Sequence, residues 1–269
     1  MSAQLTASDE KPNIGLVIGV MLVATIETLD ITVVNIALPH IMGSFGATPD
    51  QVTWMITSYV IATVIVMPIT GYFVSRFGRQ MTMYVGVIGF TIASVACGFS
   101  WSLASLVFFR FLQGAFGAVL VPISQSILLA AFPREKANQA MAIWGLAIMV
   151  APIMGPVIGG YITERWTWHW VFFINIPLGL LALFLVFDKN APIYGGKKIN
   201  ADWGGFLLLA IALASFQTVL DQGHMRHWFE SKFVWFFSWL ALCAFFSFIV
   251  RARGRTDNFV DIRLFSDRN

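Results

Sequence analysis

Glu27 and Asp30 stand three residues apart inside an otherwise apolar run, and Arg110 is the one basic residue within another such run. A charged side chain in the middle of a bilayer costs roughly 2.5 to 3.5 kcal/mol on insertion scales, so such residues are seldom kept for packing. On a helix, a spacing of three places both acids on one face, where Thr28, Thr32 and Asn35 extend the polar character. That face is expected to point into a water-filled cavity. An acid that meets the two sides of a membrane in turn can take up a proton on one side and release it on the other. Asp30 is the stronger candidate for such coupling, and Glu27 for attracting a cationic substrate. Arg110, followed by Gln113, Gly114 and Gly117, needs partners: it can hold the acids, tune them, or carry the charge of a relayed proton. The plainer readings are acids bonded to a neighbouring helix and an arginine that snorkels to the interface.

Two further strings carry spacing without reactive groups. GLAIMVAPIMGPVIGG holds Gly145, Pro152, Gly155, Pro156, Gly159 and Gly160. Its Gly155 and Gly159 form a small-xxx-small face for close helix approach, and its prolines remove backbone hydrogen bonds, so a bent helix is expected. GYFVSRFGRQ, Gly71 to Gln80, reads as a tight cytoplasmic turn bearing Arg76, Gly78 and Arg79. No Ser/His/Asp or Cys/His grouping, phosphate-binding glycine loop or HExxH pattern occurs, so catalysis is not expected, and neither is a cofactor or a metal. His40, His169, His224 and His227 fall in or near outside loops, and Cys97 and Cys243 read as apolar filler.

The elements that must position these residues follow from composition. Of 269 residues 58% are hydrophobic and 12% charged, more apolar surface than a water-soluble domain can cover. About 20 apolar helical residues cross a hydrocarbon core of roughly 30 Å. Eight such runs occur: Gly15 to Val34, Val52 to Phe73, Met81 to Gly98, Leu103 to Leu129, Ala140 to Ile162, Val171 to Phe187, Gly205 to Leu220 and Phe233 to Val250. They are continuous rather than alternating, so helices are expected and not barrel strands. The fold class is an all-α membrane protein of eight spans. The first run is too long and too acidic for a cleavable signal peptide.

A sequence pI of about 9.0 raises nucleic acid as a partner, but the positions of the basic residues argue otherwise. With the N-terminus inside, thirteen of the 17 Lys and Arg fall on the cytoplasmic side and three, Arg165, Arg226 and Lys232, outside, with Arg110 in the membrane. The positive-inside rule then places both termini in the cytoplasm, and no nucleic-acid partner is expected. Trp54, Trp101, Trp166, Trp168, Trp170, Trp203 and Trp228 lie near run ends, as interfacial belts do. The expected organisation is a cytoplasmic tail (1–13), a six-helix bundle (14–188), a cytoplasmic linker (189–202), two additional helices (203–250) and a cytoplasmic tail (251–269) leading to a C-terminal bundle that the chain lacks.

Taken together, these strings resemble the drug:proton antiporters of the major facilitator superfamily, in its fourteen-helix EmrB/QacA branch. LDITVVNIALP, Leu29 to Pro39, resembles the first-helix motif with Asp30 at its acidic position; GYFVSRFGRQ the loop motif; RFLQGAFGA, Arg110 to Ala118, the fourth-helix motif; and GPVIGG, from Gly155, the antiporter motif. WTWHWVFFINIPLG, Trp166 to Gly179, is similar to a further string of the branch. Ser75 stands where the loop motif usually has an aspartate. The resemblance implies proton-driven export of hydrophobic or cationic compounds across the inner membrane. It implies Asp30, Glu27 and Arg110 for proton coupling and Asn35, Gln113 and Thr32 for the substrate cavity. It also implies a hinge at Gly155, Pro156, Gly159 and Gly160. In double-membraned bacteria it implies a periplasmic adaptor and an outer-membrane channel as partners. Because alternating access rocks two bundles around a midplane site, these 269 residues alone are expected not to transport. The alternatives are an exporter or importer of a specific metabolite, in which Arg110 touches substrate, and a transport-dead membrane scaffold.

Overall fold

The computed structural model describes residues 14–187 and 201–253. All regular structure among them is helical. The helices are α1 (Ile14–Phe45), α2 (Pro49–Val66), α3 (Thr70–Phe77), α4 (Arg79–Gly98), α5 (Leu103–Gly117), α6 (Leu120–Ala131), α7 (Ala137–Arg165), α8 (Trp170–Phe173), α9 (Asn175–Val186), α10 (Trp203–Gly223) and α11 (Lys232–Arg253). Seven stretches are long and apolar enough to cross a membrane, and Trp170–Val186 is a shorter apolar eighth, matching the eight runs.

Prolines explain why eight runs become eleven helices. Proline lacks an N–H for the carbonyl four residues back and its ring crowds that carbonyl. Pro68 stands where a short 3-10 turn, Met67–Ile69, separates α2 from α3. Pro122 lies four residues past Ala118, where α5 gives way to α6, and Pro177 lies four past Phe173, where α8 gives way to α9. Pro152 and Pro156 instead lie inside an unbroken α7.

Two capping boxes start helices after tight loops. Thr48 and Gln51 bond reciprocally at the head of α2, and Ser102 and Ser105 do so at the head of α5, satisfying amides that have no partner within the helix. The tight turn expected in the Gly71 to Gln80 segment is shorter than the segment itself. Helix α3 runs to Phe77 and α4 begins at Arg79, so the reversal is confined to Gly78, whose φ of 85° is a left-handed conformation that glycine adopts without a Cβ clash. The first helix also exceeds its expected span: 32 residues reach to Phe45, about 48 Å at 1.5 Å per residue.

Helix α1 lies at the centre, against α7, α9 and α6, while α2 packs on α5 and α4 on α5 and α9. Two apolar clusters form the core. One gathers Val20, Val23, Ile26, Tyr59, Met83 and Phe90, and the other Leu29, Val33, Ala37, Cys97, Leu106 and Phe172. Glu27 and Asp30 sit where α1 passes from the first cluster to the second. Helix α10 leans on α2 and carries α11. The pair is tied by Arg251, whose Nε and Nη2 donate to the two oxygens of Asp202 at 2.8 Å each.

Several expectations shift in detail. Residues 251–253 continue α11 rather than opening a tail, and Asp202, placed at the end of the linker, is the N-cap of α10. The remaining tail and linker assignments, 1–13, 189–200 and 254–269, lie outside the described residues. Trp168 does not face outward as a belt residue would. It is 4% exposed and donates Nε1 to Ser44 Oγ at 2.9 Å, whereas Trp101 at 77% is exposed as a belt residue would be.

Candidate functional site

Asp30 is held by two helices besides its own. Arg110 Nη1, from α5, donates to Asp30 Oδ2 at 2.5 Å. Gln113 Nε2, one turn further along α5, donates to Oδ1 at 2.9 Å, and Asn175 Nδ2, from the first residue of α9, donates to the same oxygen at 2.8 Å. Arg110 Nη1 also donates to Gln113 Oε1 at 2.8 Å, so the guanidinium and the amide brace each other. These are charge-assisted bonds, stronger than neutral ones. The three-residue spacing of Arg110 and Gln113 puts both on the face of α5 that meets α1.

The aqueous surrounding expected for Asp30 is not what encloses it. The side chains of Arg110 and Asp30 are 2% and 0% exposed, and Gln113 and Asn175 are fully buried. The reason is the close approach of the helices. A Cβ at Gly114 would fall on the Tyr59 backbone, so α2 and α5 touch beside Arg110. The snorkelling alternative for Arg110 is likewise overturned: its guanidinium lies 4.1 Å over the Tyr59 ring, deep between α2 and α5.

Glu27 belongs to the same layer without joining the same network. It accepts a long hydrogen bond of 3.4 Å from the Tyr59 hydroxyl and is 8% exposed. Tyr59 therefore links the two acids, its ring against Arg110 and its hydroxyl on Glu27. Around Asn175 the chain of bonds continues, since Nδ2 also donates to Ser94 Oγ at 2.9 Å and Ser94 Oγ donates to the Phe172 carbonyl at 2.9 Å. Asn175 and Ser94 were missed in the sequence. Their signal was a polar residue within an apolar run, and in Asn175 a place inside the WTWHWVFFINIPLG string.

The three residues assigned to the substrate cavity separate. Asn35 is exposed and Thr32 half-buried, whereas Gln113 is sealed against Asp30 and lines no open surface of this chain. Thr32 bonds back to the Leu29 carbonyl at 2.9 Å and faces α7, where a Cβ at Gly155 would meet its Oγ1. Gly159 meets the Val33 backbone in the same way, while a Cβ at Gly160 would meet nothing and Pro156 is exposed. So the GPxxGG string splits into two glycines that seat α7 on α1 and two residues that do not. In the loop motif Gly71, Arg76 and Arg79 are exposed, Gly78 makes the turn, and Ser75 Oγ bonds back to the Gly71 carbonyl at 2.9 Å. Among the described residues neither arginine enters an ion pair. No group of three or more His, Cys, Asp or Glu able to hold a metal occurs among the described residues.

The Major Facilitator Superfamily model matches residues 20–255. The chain belongs to that superfamily. It is 38% identical over 248 residues to the fatty acid resistance protein FarB of Neisseria gonorrhoeae, covering 90% of this chain and 48% of that protein. With the multidrug export protein EmrB of Escherichia coli it shares 37% identity over 253 residues, 94% of this chain and 49% of that one. The chain thus spans about half the length of the curated relatives it matches. Solved structures support the same fold. A bacterial homologue of the lysosomal transporter Spinster, inward-facing and unoccupied, matches with a TM-score of 0.58 at 17% identity, over 88% of this chain and 61% of that one. The human organic anion transporter TETRAN gives 0.60 at 16%, over 88% and 70%. EmrB is named for multidrug export, and both solved structures are named for transporters. This chain is a multi-pass membrane protein of that transporter family.

Proposed function

We propose that the chain couples proton entry to the export of hydrophobic or cationic compounds across the inner membrane, with Asp30 as the coupling acid and Arg110 as its electrostatic partner. The observation that carries this reading is the sealed Asp30 carboxylate, gripped by donors from α5 and α9 at once. Removing one partner of a buried ion pair leaves the other charge uncompensated, a large penalty in a dry site. Protonating Asp30 does the same to Arg110, so a proton bound here loosens α1 from two of its neighbours. That is a physical route from proton binding to helix movement. Glu27, less enclosed and linked through Tyr59, is the acid placed to draw a cationic substrate, and Thr32 and Asn35 extend the polar face beside it.

The substrate class is supported by the names of the relatives, which export drugs or confer fatty acid resistance. In this reading the bundle works against a second six-helix bundle that supplies the opposing wall, as alternating access requires. The periplasmic adaptor and outer-membrane channel rest on the EmrB-type resemblance alone. Export of an organic anion held by Arg110 is less well supported, because a guanidinium already enclosed by Asp30, Gln113 and Tyr59 offers no face to a substrate.

The test is drug efflux in inverted membrane vesicles containing the protein joined to its second bundle. Asp30→Asn abolishes proton-driven efflux while the protein still inserts; undiminished efflux removes Asp30 from the coupling role. Export by the 269-residue chain alone removes the need for a second bundle.

A further inference from the structure

Two side-chain amides donate to Asp30 Oδ1, and they differ in what their oxygens do. Gln113 Oε1 is engaged, accepting from Arg110 Nη1 at 2.8 Å and from the Cys97 thiol at 3.5 Å. Asn175 Oδ1 is buried among the described residues with no hydrogen-bond partner. Buried polar atoms are nearly always satisfied, and each exception calls for an explanation.

An ionised carboxylate only accepts, so three donors suit it. A protonated carboxyl carries one O–H and needs an acceptor for it. Around Asp30 the donors are plentiful and acceptors scarce. Arg110 has no acceptor atom at all. Turning Gln113 over would take its oxygen from Arg110. Asn175 alone of the three donors can offer an oxygen without breaking another bond to it.

We propose that Asn175 is a positioning residue that serves both protonation states of Asp30 by turning its side-chain amide over. This rests on the reading of Asp30 as the coupling acid. With Asp30 ionised, Nδ2 donates to Oδ1 of the carboxylate. When a proton lands on Asp30 Oδ1, the Asn175 amide makes a half-turn and its Oδ1 accepts the new O–H. No covalent bond changes in Asn175; the Nδ2 bonds to the Asp30 carboxylate and to Ser94 Oγ are given up and one carboxyl to amide bond is formed. Ser94 loses the bond it accepted from Nδ2 but keeps its hydroxyl on the Phe172 carbonyl, so the turn does not unravel the junction of α8 and α9. The amide makes two hydrogen bonds through Nδ2 before the turn and one through Oδ1 after it, so Asn175 favours the ionised state while still offering the protonated one an acceptor.

The charged and titratable groups facing this site are Glu27 on α1, Tyr59 on α2, Cys97 on α4 and Arg110 on α5. Helices α6, α8 and α9 contribute none. None of those four presents a free acceptor to Asp30 Oδ1 in the hydrogen bonds observed.

The experiment is infrared difference spectroscopy of the chain in proteoliposomes across a pH titration, with asparagine side-chain carbonyls isotopically labelled. The expected result is a protonated-carboxyl band that Asp30→Asn abolishes, together with a labelled amide band that shifts at the same midpoint and is lost in Asn175→Thr. Asn175→Leu, with neither donor nor acceptor, moves the Asp30 carboxyl band to higher wavenumber. Asn175→Thr, whose hydroxyl both donates and accepts, returns it close to the wild-type position. An Asp30 band that titrates while the Asn175 amide stays silent overturns the inference and leaves Asp30 as the coupling acid. No Asp30-dependent band at any pH overturns both. Should Asn175→Leu fail to fold, the labelled wild type and Asn175→Thr decide the matter, and a purely structural asparagine would move neither the labelled band nor its midpoint.

Discussion

Arg110 Nη1 lies 2.5 Å from Asp30 Oδ2, and the two oppositely charged side chains share a site where neither is more than 2% exposed. Joined, they neutralise each other; separated, each is a buried charge. A double-mutant cycle therefore distinguishes this pair from a surface bridge. Arg110→Met alone costs about 3 to 5 kcal/mol, because Asp30 stays behind unpaired. Asp30→Leu with Arg110→Met recovers most of that loss, measured by denaturant or thermal unfolding in detergent, while proton-driven efflux by the joined transporter stays absent. Additive losses in the double variant would show that the two residues do not act as a pair.

Gly155 and Thr32 meet closely where α7 packs on α1. Gly155→Ala puts its methyl on Thr32 Oγ1 and pushes the helices apart, an overpacking cost of about 1 to 3 kcal/mol. Adding Thr32→Ala relieves it. Gly145 and Gly160, on the same helix with open space at their Cβ positions, accept alanine with no loss and up to about 1 kcal/mol of gain. Thermal stability of the four variants in detergent checks the ordering, and equal losses at Gly155 and Gly160 would contradict the packing described.

Gly114 differs from Gly155 in what it meets. Its neighbour is the Tyr59 main chain, which cannot rotate away, so no single side-chain substitution rescues Gly114→Ala. The helix that must move carries Arg110. The expected outcome is loss of efflux by the joined transporter even at temperatures where the variant remains folded, and retention of efflux would show that α2 and α5 can part without disturbing Asp30.

The tie between α10 and α11 is a fork-shaped pair with one end covered. Asp202 is 3% exposed at its side chain and Arg251 38%. Arg251→Ala removes two parallel bonds to a largely buried carboxylate and costs about 1 to 3 kcal/mol. Arg251→Lys restores charge but not the two parallel bonds, so it recovers only part. Hydrogen exchange is the measurement: faster exchange along α11 with α1 and α5 unchanged is expected, whereas exchange no faster in α11 would place its anchoring elsewhere.

The spans were legible because hydrocarbon leaves a helix no polar freedom. Seven of the eight apolar runs recur as full-length crossings and the eighth as a shorter one. Their interruptions were legible in principle too, since Pro68, Pro122 and Pro177 stand where helices break. Pro152 and Pro156 lie inside an unbroken α7, as the single run Ala140 to Ile162 suggested, because a proline within a helix can be absorbed as well as obeyed. The loop motif marked a tight turn but not its length. Its polar residues suggested a turn, but a single glycine suffices to reverse the chain.

At the candidate site the sequence by itself determined which groups had to be hidden. Glu27, Asp30 and Arg110 lie in runs that only a membrane interior explains, and lipid offers them no partner, so pairing within the protein was implied by composition and position. Tertiary structure alone decided the pairing and the dryness. Asp30 and Arg110 are 80 residues apart and Asp30 and Asn175 145, distances over which no local periodicity carries information. Whether the carboxylate meets water depends on how closely α2 and α5 approach at Gly114, a property of two backbones in contact.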